Sequence, residues 1–326
     1  MYHAIMLALS LAAAGAAAAL PATAQAQTYP SRALRLIVPF PPGGPNDIIG
    51  RVVAQRMGES LGQQIVIDNR GGAGGIIGTE TAAKANPDGY TLLLSGTAAL
   101  SINPSLQARL PYDPVRDFTP LSLLATAPSI LIVHPSLATR SVKDLVALAK
   151  ARPGQILYAS AGIGTPPHLA GELFKGVAGV DMTHVPYKGG GPALTDLIAG
   201  QVSVYFSGIS SALPMVKDGK ARALAVTSAK RTAILPDMPT VAESGLPGYE
   251  VGNWYAMLGP AGLSRDLVSR LNAEIVKALK HPDTNRRVLE LGADPVGSSP
   301  QELAGYMKSE IAKWAKVIRS AGIKAE

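Results

Sequence analysis

The most constraining feature of this sequence is a repeated order of apolar run, glycine-rich turn and helical segment. Residues 34–40 form an apolar run that breaks at residues 41–45, and residues 46–61 then show helical spacing. The order returns at residues 64–84, and residues 90–94 form a third run. Short apolar runs bounded by turns predict buried strands. Their alternation with helices predicts an α/β fold, in which a largely parallel sheet carries helices on both faces.

The second half of the chain repeats this pattern between two extended segments. Residues 121–133 and 221–227 are extended, and they enclose a further α/β unit. We predict that both segments run between two lobes as hinges. One lobe is then discontinuous, made of residues 27–122 and 227–326, and residues 123–226 form the other lobe.

The carboxyl-terminal segment carries a strong helix start. Ser299 fits an N-cap, Pro300 the first helical position and Glu302 the third. The apolar positions that follow fall on one stripe, which predicts packing in the core: Leu303, Met307, Ile311, Trp314 and Ile318. Trp254 and Tyr255 lie in another apolar run, and we expect both to pack on the sheet.

Residues 1–26 predict a cleaved secretory signal peptide. They contain no Lys, Arg, Asp or Glu, and an Ala/Leu run is followed by Pro21 and by Ala24-Gln25-Ala26. The mature chain would begin at Gln27. The missing basic residue at the start indicates a misassigned start codon or a weak signal. The alternative, an amino-terminal membrane anchor, needs a longer apolar stretch and a charged flank. An exported chain with no cysteine fits a bacterial periplasm.

Sequence signatures of catalysis and cofactor binding are missing. Ile77 stands where a G-x-G-x-x-G loop that starts at Gly72 needs its third glycine, and neither a P-loop nor a G-x-S-x-G motif occurs. The absence of cysteine excludes a thiolate nucleophile and a cysteine zinc site. The histidines form no H-E-x-x-H motif or other close pair: His3, His134, His168, His184 and His281. We therefore predict no cofactor, no metal and no enzymatic activity.

The charge distribution argues against nucleic acid as a partner. The chain has a net charge of +7, but its basic residues are scattered, form no dense run and are accompanied by few aromatic residues. A solvated basic surface is the simpler interpretation. Such a surface still favours anionic small molecules that arrive by diffusion.

Four glycine-rich turns lead into predicted helix starts, at residues 41–47, 70–75, 162–168 and 188–193. The first N–H groups of a helix have no intrahelical acceptor, and the helix dipole adds positive charge there, so such ends bind anions. In open α/β sheets these turns gather at the carboxyl edge of the strands. The same turns also occur without a ligand, so Asp47 can instead be a first-turn acid and His168 a structural histidine.

Six motifs stand in order along the chain from about Tyr29 onward. They are Pro39-Phe40-Pro41-Pro42-Gly43-Gly44 with Asp47, Asp68-Asn69-Arg70-Gly71-Gly72-Ala73-Gly74-Gly75, Ser160-Ala161-Gly162-Ile163-Gly164-Thr165 with His168-Leu169-Ala170, His184-Val185-Pro186-Tyr187-Lys188-Gly189, Arg222-Ala223-Leu224-Ala225-Val226-Thr227, and Leu235-Pro236-Asp237-Met238-Pro239-Thr240. As a set they resemble the Bug family, the TctC-type periplasmic solute-binding proteins of tripartite tricarboxylate transporters.

The resemblance implies a two-lobe, type II-like Venus-flytrap fold with a ligand cleft between the lobes. It further implies a small carboxylated ligand, held largely through backbone groups and ordered water. On the first lobe it points to Phe40, Pro42, Gly43, Gly44 and Asp47. On the second lobe it points to Ser160, Gly162, Gly164, Thr165 and His168. We add four residues at neighbouring turns as candidates: Ser95, Thr97, Lys188 and Ser207.

The resemblance also implies partners and leaves alternatives open. The implied partners are membrane subunits of a tripartite tricarboxylate-type transporter, and the receptor is expected to be a monomer. Alternatively, the same fold presents its ligand to a sensor of a two-component system; a periplasmic enzyme is the weakest reading. Many relatives carry an acid where this chain reads 205–211 without one, which favours a plain mono- or dicarboxylate over an amino acid. The loop at residues 95–98, which varies among relatives, is expected to help set specificity.

Overall fold

The computed structural model describes residues 29–324, so the predicted signal peptide lies outside the described residues. The first part of the chain contains β1 (Leu34–Val38), α1 (Pro45–Leu61), β2 (Ile65–Asn69), a 3-10 turn (Ala73–Gly75), α2 (Ile76–Ala83), β3 (Thr91–Gly96), a π-helical segment (Thr97–Ile102), α3 (Asn103–Leu106) and the long β4 (Phe118–Val133). The predicted strand–turn–helix order is thus confirmed for this part.

The remainder continues the α/β alternation. Its elements are α4 (Val142–Ala151), β5 (Leu157–Ser160), α5 (Pro166–Ala178), β6 (Thr183–Pro186), α6 (Gly190–Ile198), β7 (Val204–Gly208), α7 (Ile209–Lys217), β8 (Arg222–Val226), β9 (Gly252–Pro260), α8 (Arg265–Lys280), α9 (Pro282–Glu290), β10 (Asp294–Pro295) and α10 (Pro300–Ser320). The predicted capping box of α10 is present, because the side chains of Ser299 and Glu302 each accept a hydrogen bond from the other's backbone N–H.

The strands form one hydrogen-bonded order, β2-β1-β3-β9-β4-β7-β5-β6, with β8 and β10 also paired to β4. β1, β2 and β3 are parallel to one another, and so are β5, β6 and β7. The predicted largely parallel sheet is therefore present as two parallel sets. The antiparallel strands β4 and β9 lie between these sets.

β4 changes partners along its length. From Phe118 to Pro128 it pairs with β9, and from Ser129 to Val133 it pairs with β7. β8 also pairs with this second part of β4, from Ile130 onward. The strand predicted to be a hinge is thus a single element shared by two sets of strands.

Three chain segments meet at the point where β4 changes partners. The Thr227 side chain is fully buried, and its Oγ1 accepts the N–H of Ser129 at 2.8 Å and donates to Val251 O at 2.6 Å. The backbone N–H of Val251 in turn donates to Thr227 O at 2.9 Å. The pairing of Val251, just before β9, with Thr227 was not anticipated from the sequence. The lobe boundaries at residues 122 and 227 stay a prediction.

Two hydrophobic cores are joined by α10. Leu303 and Met307 pack in the core that contains Trp254, whereas Trp314 and Ile318 pack in the core that contains Phe206. The predicted stripe is buried except for Ile311, which is half-exposed. Among residues 29–324, no helix has both the length and the apolar character needed to cross a bilayer.

A buried carboxylate lies between the two cores. Glu310 is 3% exposed, and its Oε2 accepts the indole N–H of Trp254 at 3.2 Å and that of Trp314 at 3.0 Å. Lys313 forms an ion pair with the other carboxylate oxygen. One acidic side chain therefore accepts the indole N–H groups of the two largest buried side chains, one from each core.

Candidate ligand-binding site

The carboxyl ends of both parallel strand sets point toward the middle of β4. β3 ends at Gly96, which is level with Tyr255 of β9 and thereby with Ala125 of β4. β7 runs in the opposite direction and ends at Gly208, level with Ser129. The turns that follow the two strand sets thus approach one band of β4 from opposite sides. Such carboxyl edges are where ligands bind in open α/β sheets.

The first turn, residues 40–47, is held by a buried carboxylate. Asp47 is 3% exposed, and its Oδ2 accepts the backbone N–H of Gly43 and the Nε of Arg51, both at 2.9 Å. Its Oδ1 accepts the Nδ2 of Asn69 at 3.0 Å. Both oxygens of Asp47 are therefore engaged within the protein, as its structural interpretation predicts. Direct ligand contact by Asp47 stays a prediction.

The ionisation of Asp47 is fixed by this network. Burial acts to raise the pKa of the Asp47 carboxyl, but hydrogen bonds from Arg51, Gly43 and Asn69 outweigh it and hold the pKa below its ordinary value of 3.8. Arg51 supplies the compensating charge. The first turn therefore presents no uncompensated negative charge to an incoming anion.

The turn of residues 160–168 bonds mainly to itself. The carbonyl of Gly162 accepts the hydroxyls of Thr165 at 2.6 Å and of Ser160 at 3.1 Å. The N–H of Gly164 donates to Nδ1 of His168 at 3.0 Å. Since Nδ1 accepts, the neutral His168 ring carries its proton on Nε2. The structure thus brings five predicted residues together in one internally hydrogen-bonded turn, in which Nδ1 of His168 is used within the protein. Ligand contact by these residues stays a prediction.

His168 stacks on His184, which sequence analysis did not select. The ring centroids are 3.9 Å apart and the planes differ by 6°, while Nε2 of His184 lies 2.7 Å from Oγ of Ser160. Burial lowers the pKa of His168 below its ordinary value. Burial, followed by the neighbouring His168, lowers the pKa of His184 to about 4. Both rings are therefore neutral near pH 7.

We expect the stability of the protein to decrease as the pH falls from about 6.5 toward 4. In this window the unfolded chain binds a proton at His184 that the folded chain does not bind, because the folded pKa is about 4 and the ordinary value is 6.5. Above pH 6.5 this contribution is constant. The measurement is Tm against pH for the protein and for His184→Gln, whose amide can still bond to Ser160. The variant should lose less stability on acidification; superimposed profiles would contradict the assignment.

Backbone N–H groups without an acceptor remain on both turns. Gly43, Gly162 and Gly164 use their N–H groups within their own turns. By contrast, the N–H groups of Gly44, Ala161 and Ile163 have no hydrogen-bond acceptor among residues 29–324. Sequence patterns select glycine-rich turns, but they cannot tell which of the N–H groups stay free. The sequence therefore offered no reason to single out Ala161 and Ile163.

The other candidates divide into buried and exposed groups. The Oγ of Ser95 is buried and has no partner in the described part of the chain. Oγ1 of Thr97 accepts the backbone N–H of Trp254 at 2.9 Å, so its visible role is structural. Ser207 is buried, and its hydroxyl donates to Gly208 O at 3.3 Å. Lys188 is exposed and forms no ion pair within residues 29–324.

The first turn exposes its residues unequally. Phe40 is half-buried, whereas Pro42 and Gly43 are exposed. The Phe40 ring lies against Gly75 of the second glycine-rich turn, where a Cβ on Gly75 would stand 3.1 Å from Cζ of Phe40. The Phe40 side chain thus packs between the first two turns, and Pro42 lies on the surface.

α3 contacts glycine-rich turns of both strand sets. The Nδ2 of Asn103 donates to Gly74 O at 3.1 Å. Three residues later, Leu106 lies under Gly164, where a Cβ on Gly164 would stand 2.8 Å from Cδ2 of Leu106. In the part of the chain that the structure describes, no three His, Asp or Glu side chains are grouped as metal ligands.

Two parallel strand sets joined by β4 and β9, with glycine-rich turns at their carboxyl ends, are the architecture of a periplasmic solute-binding protein. The chain belongs to the TctC family: the model described as tripartite tricarboxylate transporter family receptor matches residues 49–323. BugT of Bordetella pertussis (strain Tohama I) is 40% identical over 304 residues, which cover 93% of this chain and 93% of BugT. The resemblance inferred from the motifs is confirmed.

Solved structures of similar proteins agree with this assignment. An R. palustris protein with adipate is 39% identical, with a TM-score of 0.75 over 91% of this chain and 99% of that one. MatC from Rhodopseudomonas palustris with bound malate is 34% identical, with a TM-score of 0.71 over 89% of this chain and all of that one. The two-lobe periplasmic-binding-protein fold is thereby confirmed, and the family and its structural neighbours are solute-binding proteins rather than enzymes.

Proposed function

We propose that this protein is a periplasmic receptor that captures a small carboxylated molecule and delivers it to membrane subunits of a tripartite tricarboxylate-type transporter. The carboxylate accepts hydrogen bonds from free N–H groups of the turns at residues 40–47 and 160–168. Export through the signal peptide at residues 1–26, and a monomeric state, belong to the same proposal.

The observation that carries this proposal is the pair of turns with unsatisfied N–H groups. Gly44 is the N-cap of α1, whereas Ala161 and Ile163 lie in the turn that leads into α5 at Pro166. Backbone N–H groups at helix starts favour an anion without a charged side chain. The malate and adipate bound by the two R. palustris proteins are carboxylates.

A thermal-shift screen tests the ligand class. The panel pairs carboxylates, including adipate and malate, with their amides, and adds amino acids and sugars. A ligand at 100 times its Kd stabilises the folded state by about 2.7 kcal/mol, which raises Tm by a few degrees for a chain of this size. We expect the acids to raise Tm and the amides to have no effect, because only the acids carry the charge that the helix starts favour.

The amides are the matched control, since they keep the size and shape of each acid. Stabilisation by a sugar, or equal stabilisation by an acid and its amide, would contradict a carboxylate site. Transport is tested separately: deletion of the gene for this receptor should abolish uptake of the carboxylate selected by the screen. Unchanged uptake would contradict the delivery role while leaving the binding result in place.

A further inference from the structure

Asn69 lies outside the turn of residues 40–47 but contacts it at both ends. It is the last residue of β2 and is half-buried. Its Nδ2 donates to Phe40 O at 3.1 Å and to Asp47 Oδ1 at 3.0 Å. Its Oδ1 accepts Nη2 of Arg51 at 3.2 Å. One amide therefore joins the start of the turn, the first helical turn of α1 and the guanidinium that neutralises Asp47.

The three partners admit only one orientation of the Asn69 amide. A backbone carbonyl and a carboxylate accept hydrogen bonds and cannot donate them, whereas a guanidinium only donates. A rotation of the amide by half a turn would place donor against donor and acceptor against acceptor in all three contacts. The Asn69 side chain is thus locked, and it in turn fixes the atoms that it contacts.

Most of the remaining constraint on this turn depends on the same network. Pro41 and Pro42 carry no N–H and cannot donate to any neighbour. Gly43, with φ of +84°, is held through its N–H by Asp47. Asp47 itself is oriented by Asn69 and Arg51. The direction of the free N–H of Gly44 therefore depends on an amide that belongs to a different strand.

We propose that Asn69 is the positioning residue of the first ligand turn: it holds residues 40–47 in the shape that binds the ligand, and ligand affinity depends on its amide more strongly than folding does. This proposal rests on the proposed carboxylate-binding function. Asn69 acts through Phe40 and Asp47 and does not itself contact the ligand.

The test measures the Kd of adipate and of malate by calorimetry for the full mature chain and for two variants. Asn69→Ala removes all three hydrogen bonds and should weaken binding by about tenfold or more. Asn69→Asp should weaken it further, because a carboxylate would face the carbonyl of Phe40 and the carboxylate of Asp47. Asn285→Ala is the matched control, since Asn285 is also half-buried and its side chain forms no hydrogen bond within residues 29–324. It should bind both probes as the parent does.

A pH profile separates positioning from a general loss of structure. When the carboxyl introduced by Asn69→Asp takes up a proton, it regains an O–H that can donate to Asp47. The ratio of its Kd to that of Asn69→Ala, measured at the same pH, should therefore fall at least threefold between pH 7 and pH 5. The charged groups that face this position are Asp47 and Arg51. In Asn69→Asp the carboxyls at positions 69 and 47 titrate as a coupled pair, so the ratio reports the proton that this pair takes up. The Tm values of both variants should stay within a few degrees of the parent.

Binding of adipate or malate with parental Kd by both Asn69 variants would overturn the proposal, as would a constant ratio across the pH range. If neither acid binds the parent protein, the carboxylate proposal fails for these probes, and the positioning role is then tested without a ligand. In that test, hydrogen exchange of the Gly43 amide, followed by NMR, should be at least tenfold faster in Asn69→Ala than in the parent. The same measurement tests the proposal if Asn69→Asp does not fold. Unchanged exchange would overturn the positioning role by itself.

Discussion

Replacing Glu310 with leucine is expected to lower the free energy of unfolding by about 3 kcal/mol, and Tm by roughly 4–6 °C for a chain of this size. The substitution leaves the indole N–H groups of Trp254 and Trp314 without the acceptor that both share. Each buried donor left without a partner costs about 1–3 kcal/mol. Lys313 also loses its ion pair, but its side chain is 23% exposed and can be hydrated. Chemical denaturation and thermal melting measure the effect.

Glu310→Gln is the matched control for this experiment. Glutamine keeps one acceptor oxygen for both indoles, while its NH2 group replaces the oxygen that pairs with Lys313, so that Lys313 loses its acceptor and turns to solvent. Its loss should therefore be less than half of that of the leucine variant. Equal losses for the two variants would show that the charge of Glu310 stabilises the protein, and that its hydrogen bonds to the two indoles do not.

Substitution of Gly164 by valine is expected to weaken carboxylate binding by at least about tenfold, which corresponds to about 1.4 kcal/mol of binding free energy. Gly164 has φ of +72°, which a β-branched residue adopts only under strain. A Cβ at this position would also stand 2.8 Å from Leu106. The Leu106 side chain can move aside, but the backbone strain falls on the turn itself, and we expect it to displace the N–H of Ile163 and the hydrogen bond from Gly164 to His168. Calorimetry with adipate or malate measures the change.

Gly176→Ala is a control on α5, the helix that follows the turn. Gly176 lies within α5, and a Cβ there meets no atom within 4 Å. Alanine is a better helix former than glycine, so this variant should be as stable as the parent or more stable, with the parental Kd. Gly164→Val combined with Leu106→Ala removes the clash and keeps the backbone strain. If Gly164→Val alone binds as the parent does, the turn at residues 160–168 has no part in the site.

Elements whose causes are local in the sequence could be predicted. The helix α10 starts where Ser299 and Glu302 cap it, and the strands β1 and β3 lie within apolar runs that end at glycine-rich or small residues. These features depend on a few neighbouring residues, which one sequence displays directly. The family motifs added the fold for the same reason, because each motif is a contiguous stretch.

Features that depend on distant partners could not be predicted. The stripe on α10 included Ile311, but the structure buries Glu310 beside it, because two indoles from different cores both donate to that carboxylate. An acidic residue next to an apolar stripe is expected to be exposed unless its partners are known. β4 changes its partner strand at Ser129, and Val251 bonds to Thr227. Both features likewise depend on pairings between residues far apart in the chain.

The candidate site shows the same division. The glycine-rich turns were found from their composition, and His168 and Asp47 from their positions in first helical turns. Asn69 stood in a quoted motif, yet its proposed role depends on contacts with Phe40 and Asp47, which lie 29 and 22 residues earlier in the chain. His184 was read as part of a motif only, and its stacking on His168 follows from the packing of β6 against β5.

The shared carboxylate of Glu310 has an optical consequence. The chain contains two tryptophans, and both donate to this one side chain. Lys313 lies 5.0 Å from the centroid of the Trp314 ring, so one of the two chromophores also faces a charge. The tryptophan emission of the protein therefore originates beside Glu310, where the core that contains Trp254 meets the core that contains Trp314. Any change in the contacts of Glu310 therefore alters the surroundings of both tryptophans at once, and we expect the fluorescence of the unlabelled protein to report it.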